Sequence, residues 1–179
     1  VRHESTEATR LAVFVPNWIG DAVMATPALR ALRQRFAQAE IVGIMKPYVA
    51  GVLDGAPWFD RILFLDKKGP WNHRWPAVAL ALRRQRFHLA ILLTNTLRSA
   101  LTAWLAGCLH RVGYALHGRR LLLTDPLPPL RDHRGRLLPS PVLDAYNRLA
   151  LHVGCPDPGR RMYLFTSPQD EQAADRVWQ

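Results

Sequence analysis

Leu11-Ala12-Val13-Phe14-Val15, followed at once by Pro16-Asn17-Trp18-Ile19-Gly20-Asp21, is the stretch that decides how this chain is read. Five consecutive apolar residues, with β-branched and aromatic side chains among them, fit a strand covered on both faces better than a strand with one wet side. Beyond the turn, apolar residues recur at Val23, Ala28, Leu29, Leu32 and Phe36 with Arg30, Arg33 and Arg35 between them, which is helical spacing. Pro27 leaves two versions of that helix open. Either it begins at Asp21 and bends at Pro27, or Thr26 caps a helix that carries Pro27 in its first turn.

The alternation continues outward from this unit. Apolar runs at Ile41 to Met45, Arg61 to Leu65 and His88 to Leu93 predict strands, and helical patterns lie near Tyr48 to Leu53, Trp75 to Gln85 and Leu97 to Ala106. Strands alternating with helices predict an α/β fold, a Rossmann-like parallel sheet with helices on both faces. Arg111 to Tyr114 and Leu121 to Thr124 are shorter candidate strands, and proline-rich Leu127 to Pro141 reads as a long surface loop. A helix is expected from Val142 to Val153, closed by Gly154 and Pro156. After the apolar Tyr163 to Phe165, Ser167-Pro168 has cap chemistry for a last helix that begins with Asp170 and Glu171.

Composition sets outer limits. A chain of 179 residues with 49% apolar side chains can form the core of one domain, expected over residues 11–165, while polar residues 1–10 are expected to be a disordered tail. Cys108 and Cys155 match neither zinc-ligand nor redox spacing and read as small buried residues, which fits a reducing, cytoplasmic location. The longest mostly apolar stretch, Ala100 to Leu109, is far short of the ~20 residues that span a bilayer, and no signal peptide is expected. The net charge of +10 arises from 24 basic against 14 acidic side chains, nearly all the basic ones arginine. An arginine fork matches carboxylate and phosphate oxygens, so an anionic partner is expected, although a GC-rich genome would also favour arginine. Charge alone does not separate nucleic acid, acidic lipid headgroups and phosphorylated sugars, which leaves a non-catalytic basic binding module as an alternative.

In an open parallel sheet, ligands bind at the carboxyl ends of the strands. At the first such end, Gly20 would let backbone approach a ligand and Asp21 would offer a carboxylate, or Asp21 would simply cap the helix. At the second, Thr94-Asn95-Thr96-Leu97-Arg98-Ser99 gathers small polar groups and an arginine, suited to a polyhydroxylated or anionic ligand or to ordinary helix capping. No G-x-G-x-x-G follows the first strand and no G-x-x-x-x-G-K-[ST] occurs, which removes the NAD and ATP-hydrolysis readings. The seven histidines lack ligand spacing, so no metal site is indicated. Lys67-Lys68, Arg83-Arg84-Arg86, Arg119-Arg120 and Arg160-Arg161 read as solvated faces, and with no recognition-helix or RNA-binding motif beside them no specific nucleic-acid partner is expected.

Val15 to Ile41, VPNWIGDAVMATPALRALRQRFAQAEI, resembles the start of the ADP-heptose:lipopolysaccharide heptosyltransferases of glycosyltransferase family 9, particularly the heptosyltransferase II type. The resemblance continues through Leu93 to Ala100, with Thr96 where a serine is usual, and through Ala103 to Gly107 and Arg111 to Tyr114. It implies the N-terminal, acceptor-binding half of a GT-B fold, with residues 166–179 starting the connection to a donor domain beyond the chain. It also implies an inverting transfer of heptose from ADP-heptose to a Kdo/heptose-lipid A acceptor in lipopolysaccharide inner-core synthesis, with a different nucleotide sugar or acceptor within the same family as the alternative. No metal and no cofactor are implied, the ADP-sugar being a substrate, and the lack of a D-x-D triplet agrees. Asp21 then corresponds to the catalytic base. Asn17, Gly20, Thr26, Asn95, Thr96 and Arg98 correspond to acceptor contacts, with Lys46 and Arg111 as further candidates that could equally sit at a sheet edge. An anionic lipid-linked acceptor further implies peripheral contact with the cytoplasmic face of the inner membrane.

Overall fold

The computed structural model describes residues 9–166 and 168–178. In it the first apolar run forms β1 (Arg10–Phe14), flanked on one side by β2 (Glu40–Met45) and β3 (Arg61–Phe64). On its other side lie β4 (Leu89–Leu92), β5 (His110–Tyr114) and β6 (Asp125–Leu127). The order is β3-β2-β1-β4-β5-β6 and every pairing is parallel, with Leu11 opposite Ile41 on one side and Leu89 on the other. This is the doubly wound order expected of a Rossmann-like sheet.

Both faces of the sheet are covered, which explains the unbroken apolar runs. Leu11 and Val13 point into one core with Ile41, Leu89 and Ile91, closed by α1 (Ile19–Met24), α2 (Thr26–Arg35) and α6 (Val142–His152). Ala12 and Phe14 point the other way, with Val42, Ile44 and Leu92, beneath α4 (Trp75–Arg83) and α5 (Leu97–Leu105). Fully buried side chains such as Phe14 and Ile91 each stabilise the fold by about 1.5–3 kcal/mol. Between β2 and β3 only a single helical turn forms, α3 (Pro47–Ala50), shorter than the predicted Tyr48 to Leu53.

Four expectations are corrected. The first helix begins at Ile19, with Trp18 as its N-cap, so Asp21 is the third helical residue and not a cap. A break at Ala25 separates α1 from α2, and Pro27 lies in the first turn of α2, where its missing N–H costs nothing. Thr26 does not cap α2 through its side chain. Its hydroxyl donates instead to the Val23 carbonyl at 2.7 Å. The candidate strand at Leu121 to Thr124 does not form: Arg119–Leu122 makes a 3-10 turn after left-handed Gly118, and the sixth strand follows at Asp125–Leu127. Pro126 is tolerated there because β6 is an edge strand. Arg119, read as solvated, is fully buried.

Arg10 belongs to β1, donating to the Gln85 carbonyl and pairing with Glu40 at 3.1 Å, so the folded domain begins within the expected tail. Residues 1–8 and the cap at Ser167 lie outside the described residues. The last helix, α7 (Pro168–Trp178), is present, and Tyr163 to Phe165 runs without strand structure against α2 and Trp58. Both cysteines are buried as expected, and burial pushes each thiol up to about 12. Among the described residues no helix is long and apolar enough to cross a membrane.

Candidate functional site

Successive strands run outward from β1 to β3, then restart on the opposite side with β4, so the order reverses between β1 and β4. That reversal opens a crevice at the carboxyl ends of these two strands. Two cavities occupy it, on either side of a wall made by Asn17, Thr94 and Thr96.

The first cavity, of about 290 Å³, is lined by Asn17, Trp18, Asp21, Asn95, His117 and Tyr146, among others. Asp21 projects from the first turn of α1, and its carboxylate has no hydrogen-bond partner among the described residues. Tyr146, from α6, is buried. That burial, reinforced by the Asp21 negative charge, holds its phenol above its ordinary pKa, so it stays protonated. His117 enters from the loop after β5 with a left-handed backbone (φ 50°), a conformation that costs a non-glycine residue energy.

The second cavity, of about 420 Å³, differs in charge. Lys46 follows β2, Lys67 follows β3 and Arg98 lies in the first turn of α5, and no acidic residue lines the space. None of the three cations is ion-paired among the described residues, although the Lys46 ammonium lies 5.4 Å from the Tyr48 ring centroid. Three unpaired cations beside a helix N-terminus suit a carboxylate or phosphate group.

The wall between the cavities is held from behind. Arg119 donates from Nε to the Tyr114 carbonyl at 2.8 Å, from Nη1 to the Thr94 carbonyl, and from Nη2 to Asn95 Oδ1 at 2.9 Å. Burial lowers its pKa to about 10, so it remains cationic at neutral pH. Thr94, which it positions, is itself nine-tenths buried, and its hydroxyl has no partner although the residue lines both cavities. A buried unpaired hydroxyl costs about 1–3 kcal/mol, which a ligand hydrogen bond would recover.

Most residues singled out from sequence come together here. Asn17, Asp21, Asn95, Thr96, Arg98 and Lys46 line one or both cavities, and Gly20 lies beside them on α1 with open space where a Cβ would stand. Thr96 is the N-cap of α5, its hydroxyl accepting from Ser99 N–H at 3.2 Å, so the capping reading holds for it as well. Thr26 and Arg111 are elsewhere. Thr26 is fully buried and accepts from Tyr163 N–H at 3.0 Å, while Arg111 donates to the Leu122 and Cys108 carbonyls near the amino end of β5. His117, Arg119, Tyr146 and Lys67 are additions from the structure, as is the buried unpartnered state of the Thr94 hydroxyl. Of these residues only Thr94 carried a signal in the sequence, as the first of the polar segment that follows a predicted strand. Among the described residues no group of three His, Cys, Asp or Glu side chains could hold a metal ion.

Fold and crevice together define a Rossmann-like α/β domain with its crevice at the reversal of strand order. Its fold matches the glycosyl transferase family 9 structure from Veillonella parvula with a TM-score of 0.80 at 18% identity, over 99% of this chain and 51% of that one. Escherichia coli ADP-heptose LPS heptosyltransferase II gives a TM-score of 0.70 at 23% identity, over 94% of this chain and 50% of that one. In sequence the chain is similar to lipopolysaccharide heptosyltransferase 2 of Escherichia coli, 29% identical over 123 residues that cover 65% of this chain and 34% of that protein. The chain thus spans about a third of the length of the curated relative and half that of the solved structures. No family model matches it.

Proposed function

We propose that this domain is the acceptor-binding, base-bearing half of a two-domain glycosyltransferase of lipopolysaccharide core synthesis. Heptose would be transferred from an ADP-sugar with inversion and without a metal. The observation that carries the reading is Asp21, an unpartnered carboxylate in a hydroxyl-rich cavity at the point where the strand order reverses. Inversion requires a base on the acceptor side to take the hydroxyl proton as that oxygen attacks the anomeric carbon, opposite the departing ADP. Asp21 is free to accept that proton, and such a base contributes ~10²–10⁴-fold. Tyr146, still protonated, is a neutral donor beside it.

The two cavities divide the acceptor between them. Lys46, Lys67 and Arg98 hold its anionic groups, while Asn17, Thr94 and Asn95 contact sugar hydroxyls near Asp21. Residues 166–179, including α7, begin the connection to the donor domain, and the negative charge that develops on leaving ADP is stabilised from that side. On this account residues 1–179 alone do not catalyse transfer, and the arginine-rich surface places the enzyme at the cytoplasmic face of an anionic membrane.

The test is transfer by the two-domain protein with a panel of nucleotide sugars and a lipid-linked Kdo acceptor. ADP-heptose is expected to be the preferred donor, and replacing Lys46, Lys67 and Arg98 together by alanine is expected to raise acceptor KM at least tenfold with donor KM unchanged. Equal use of unrelated donors, or an unaltered acceptor KM, would contradict it.

A further inference from the structure

Asn95 faces a third cavity as well, of about 370 Å³, and this one is apolar. Its walls are Tyr114, Leu116, Leu130, Leu137, Leu138 and Ala145, a volume within the ~300–1,000 Å³ of small-molecule sites. Three of the leucines come from the proline-rich segment between β6 and α6, which folds as a small hairpin. Arg131 bridges Leu137, Leu138 N–H donates to the Leu130 carbonyl at 2.9 Å, and Asp132 closes the tip by accepting from Arg134 and Arg136 N–H at 2.9 and 2.8 Å. A hairpin this ordered normally turns such leucines into the protein. Instead Leu130, Leu137 and Leu138 stay 46%, 56% and 46% exposed around the cavity.

Charge identifies the occupant. The single acid of the tip is engaged by backbone N–H groups, while the guanidinium groups of Arg134 and Arg136 have no partner among the described residues. Arg148 and Asp144 also line the cavity: Arg148 donates to the Pro128 carbonyl at 3.2 Å, and the Asp144 carboxylate is paired with Arg160 at 2.8 Å, so its negative charge is already met. We propose that this cavity is a slot for the alkyl chain of an anionic amphiphile, with the chain against the three leucines and the headgroup against the hairpin arginines. The apolar wall rules against nucleic acid as the occupant, and a neutral oil would leave Arg148 in the lining and the arginines of the hairpin tip unmatched. Through Asn95 the slot adjoins the Asp21 cavity, so one ligand could present a sugar hydroxyl to Asp21 and a chain to the hairpin. That role rests on the acceptor reading above, whereas binding itself does not.

Isothermal titration of the chain with alkyl phosphates, kept below their micellar concentrations, tests the slot. Each methylene that enters should tighten binding by up to ~fourfold. Dodecyl phosphate should therefore bind at least ~30-fold more tightly than butyl phosphate, and inorganic phosphate should bind no better than butyl phosphate. Leu137→Asp, at an exposed position, should weaken dodecyl phosphate at least ~tenfold, while Leu137→Met retains binding and so reports that the hairpin is intact. Arg134→Ala with Arg136→Ala should weaken it and flatten its salt dependence. Affinity independent of chain length, or undiminished in Leu137→Asp, overturns the proposal, as would methyl NMR shifts confined to leucines outside the hairpin. Asp21→Asn should leave dodecyl phosphate affinity within ~twofold, so failure of the slot and failure of the catalytic reading are separable.

Discussion

Two side chains behind and within the wall of the crevice show how individual residues divide stability from binding. The Thr94 hydroxyl is buried without a partner among the described residues, so it costs the fold stability. Thr94→Val keeps the shape and removes that burden. Its expected effect is a gain of up to about 1 kcal/mol in unfolding free energy by denaturant titration, with acceptor KM raised at least several-fold. Arg119 is the opposite case, since three groups depend on its guanidinium. Arg119→Met leaves the buried Thr94 carbonyl without its donor, while Leu116 N–H still donates to the Tyr114 carbonyl at 2.9 Å, and is expected to cost about 1–3 kcal/mol by the same measurement. Asn95 should move with it, visible as a changed amide resonance.

Among the elements, α1 carries the functional turn. Gly20 sits in its first turn with nothing within 4 Å of where an alanine methyl would stand and no left-handed backbone, so folding does not require glycine there. Gly20→Ala is expected to raise stability by up to about 0.5–1 kcal/mol, since alanine loses less entropy in a helix. If a ligand uses the open space, acceptor KM should rise in the same variant. How much of this level was legible from sequence differs by element. β1, β2 and β4 announce themselves because residues buried on both faces must be apolar without interruption, as Leu11 to Val15 are. β6 does not, because an edge strand can be as short and polar as Asp125-Pro126-Leu127, while the apolar Leu121-Leu122-Leu123 beside it emerges from a 3-10 turn with only Leu123 buried and Leu121 91% exposed. The turn at Asp21 was legible by its place after β1. Arg119 was not, because its burial depends on a loop packing over the ends of β4 and β5, and two adjacent arginines look alike until that loop is placed.

For the whole molecule, long-range ties hold the crevice scaffold together. One joins α2 to the strand β3 region: Arg33 donates to Asp60 at 2.6 Å, and the same Asp60 oxygen accepts from Ile41 N–H at 2.7 Å. Burial alone would raise the Asp60 pKa, but these hydrogen bonds and the Arg33 charge outweigh it and hold the carboxyl below its ordinary value. A carboxyl lowered on folding stabilises the protein fully above its unfolded pKa and loses that contribution as pH falls through the folded one. Thermal unfolding should therefore show a loss of stability below about pH 4 that is shallower in Asp60→Asn, with the difference between the two proteins vanishing at the acid end.

The central claim is that the crevice between β1 and β4 is a catalytic site whose base is Asp21. Because that carboxylate holds no hydrogen bond among the described residues, replacing it should not disturb the fold. The deciding measurement is the single-turnover transfer rate of the two-domain Asp21→Asn protein, with saturating ADP-heptose and acceptor. The account predicts a fall of ~10²–10⁴-fold with an unchanged unfolding midpoint; transfer at the wild-type rate would contradict it.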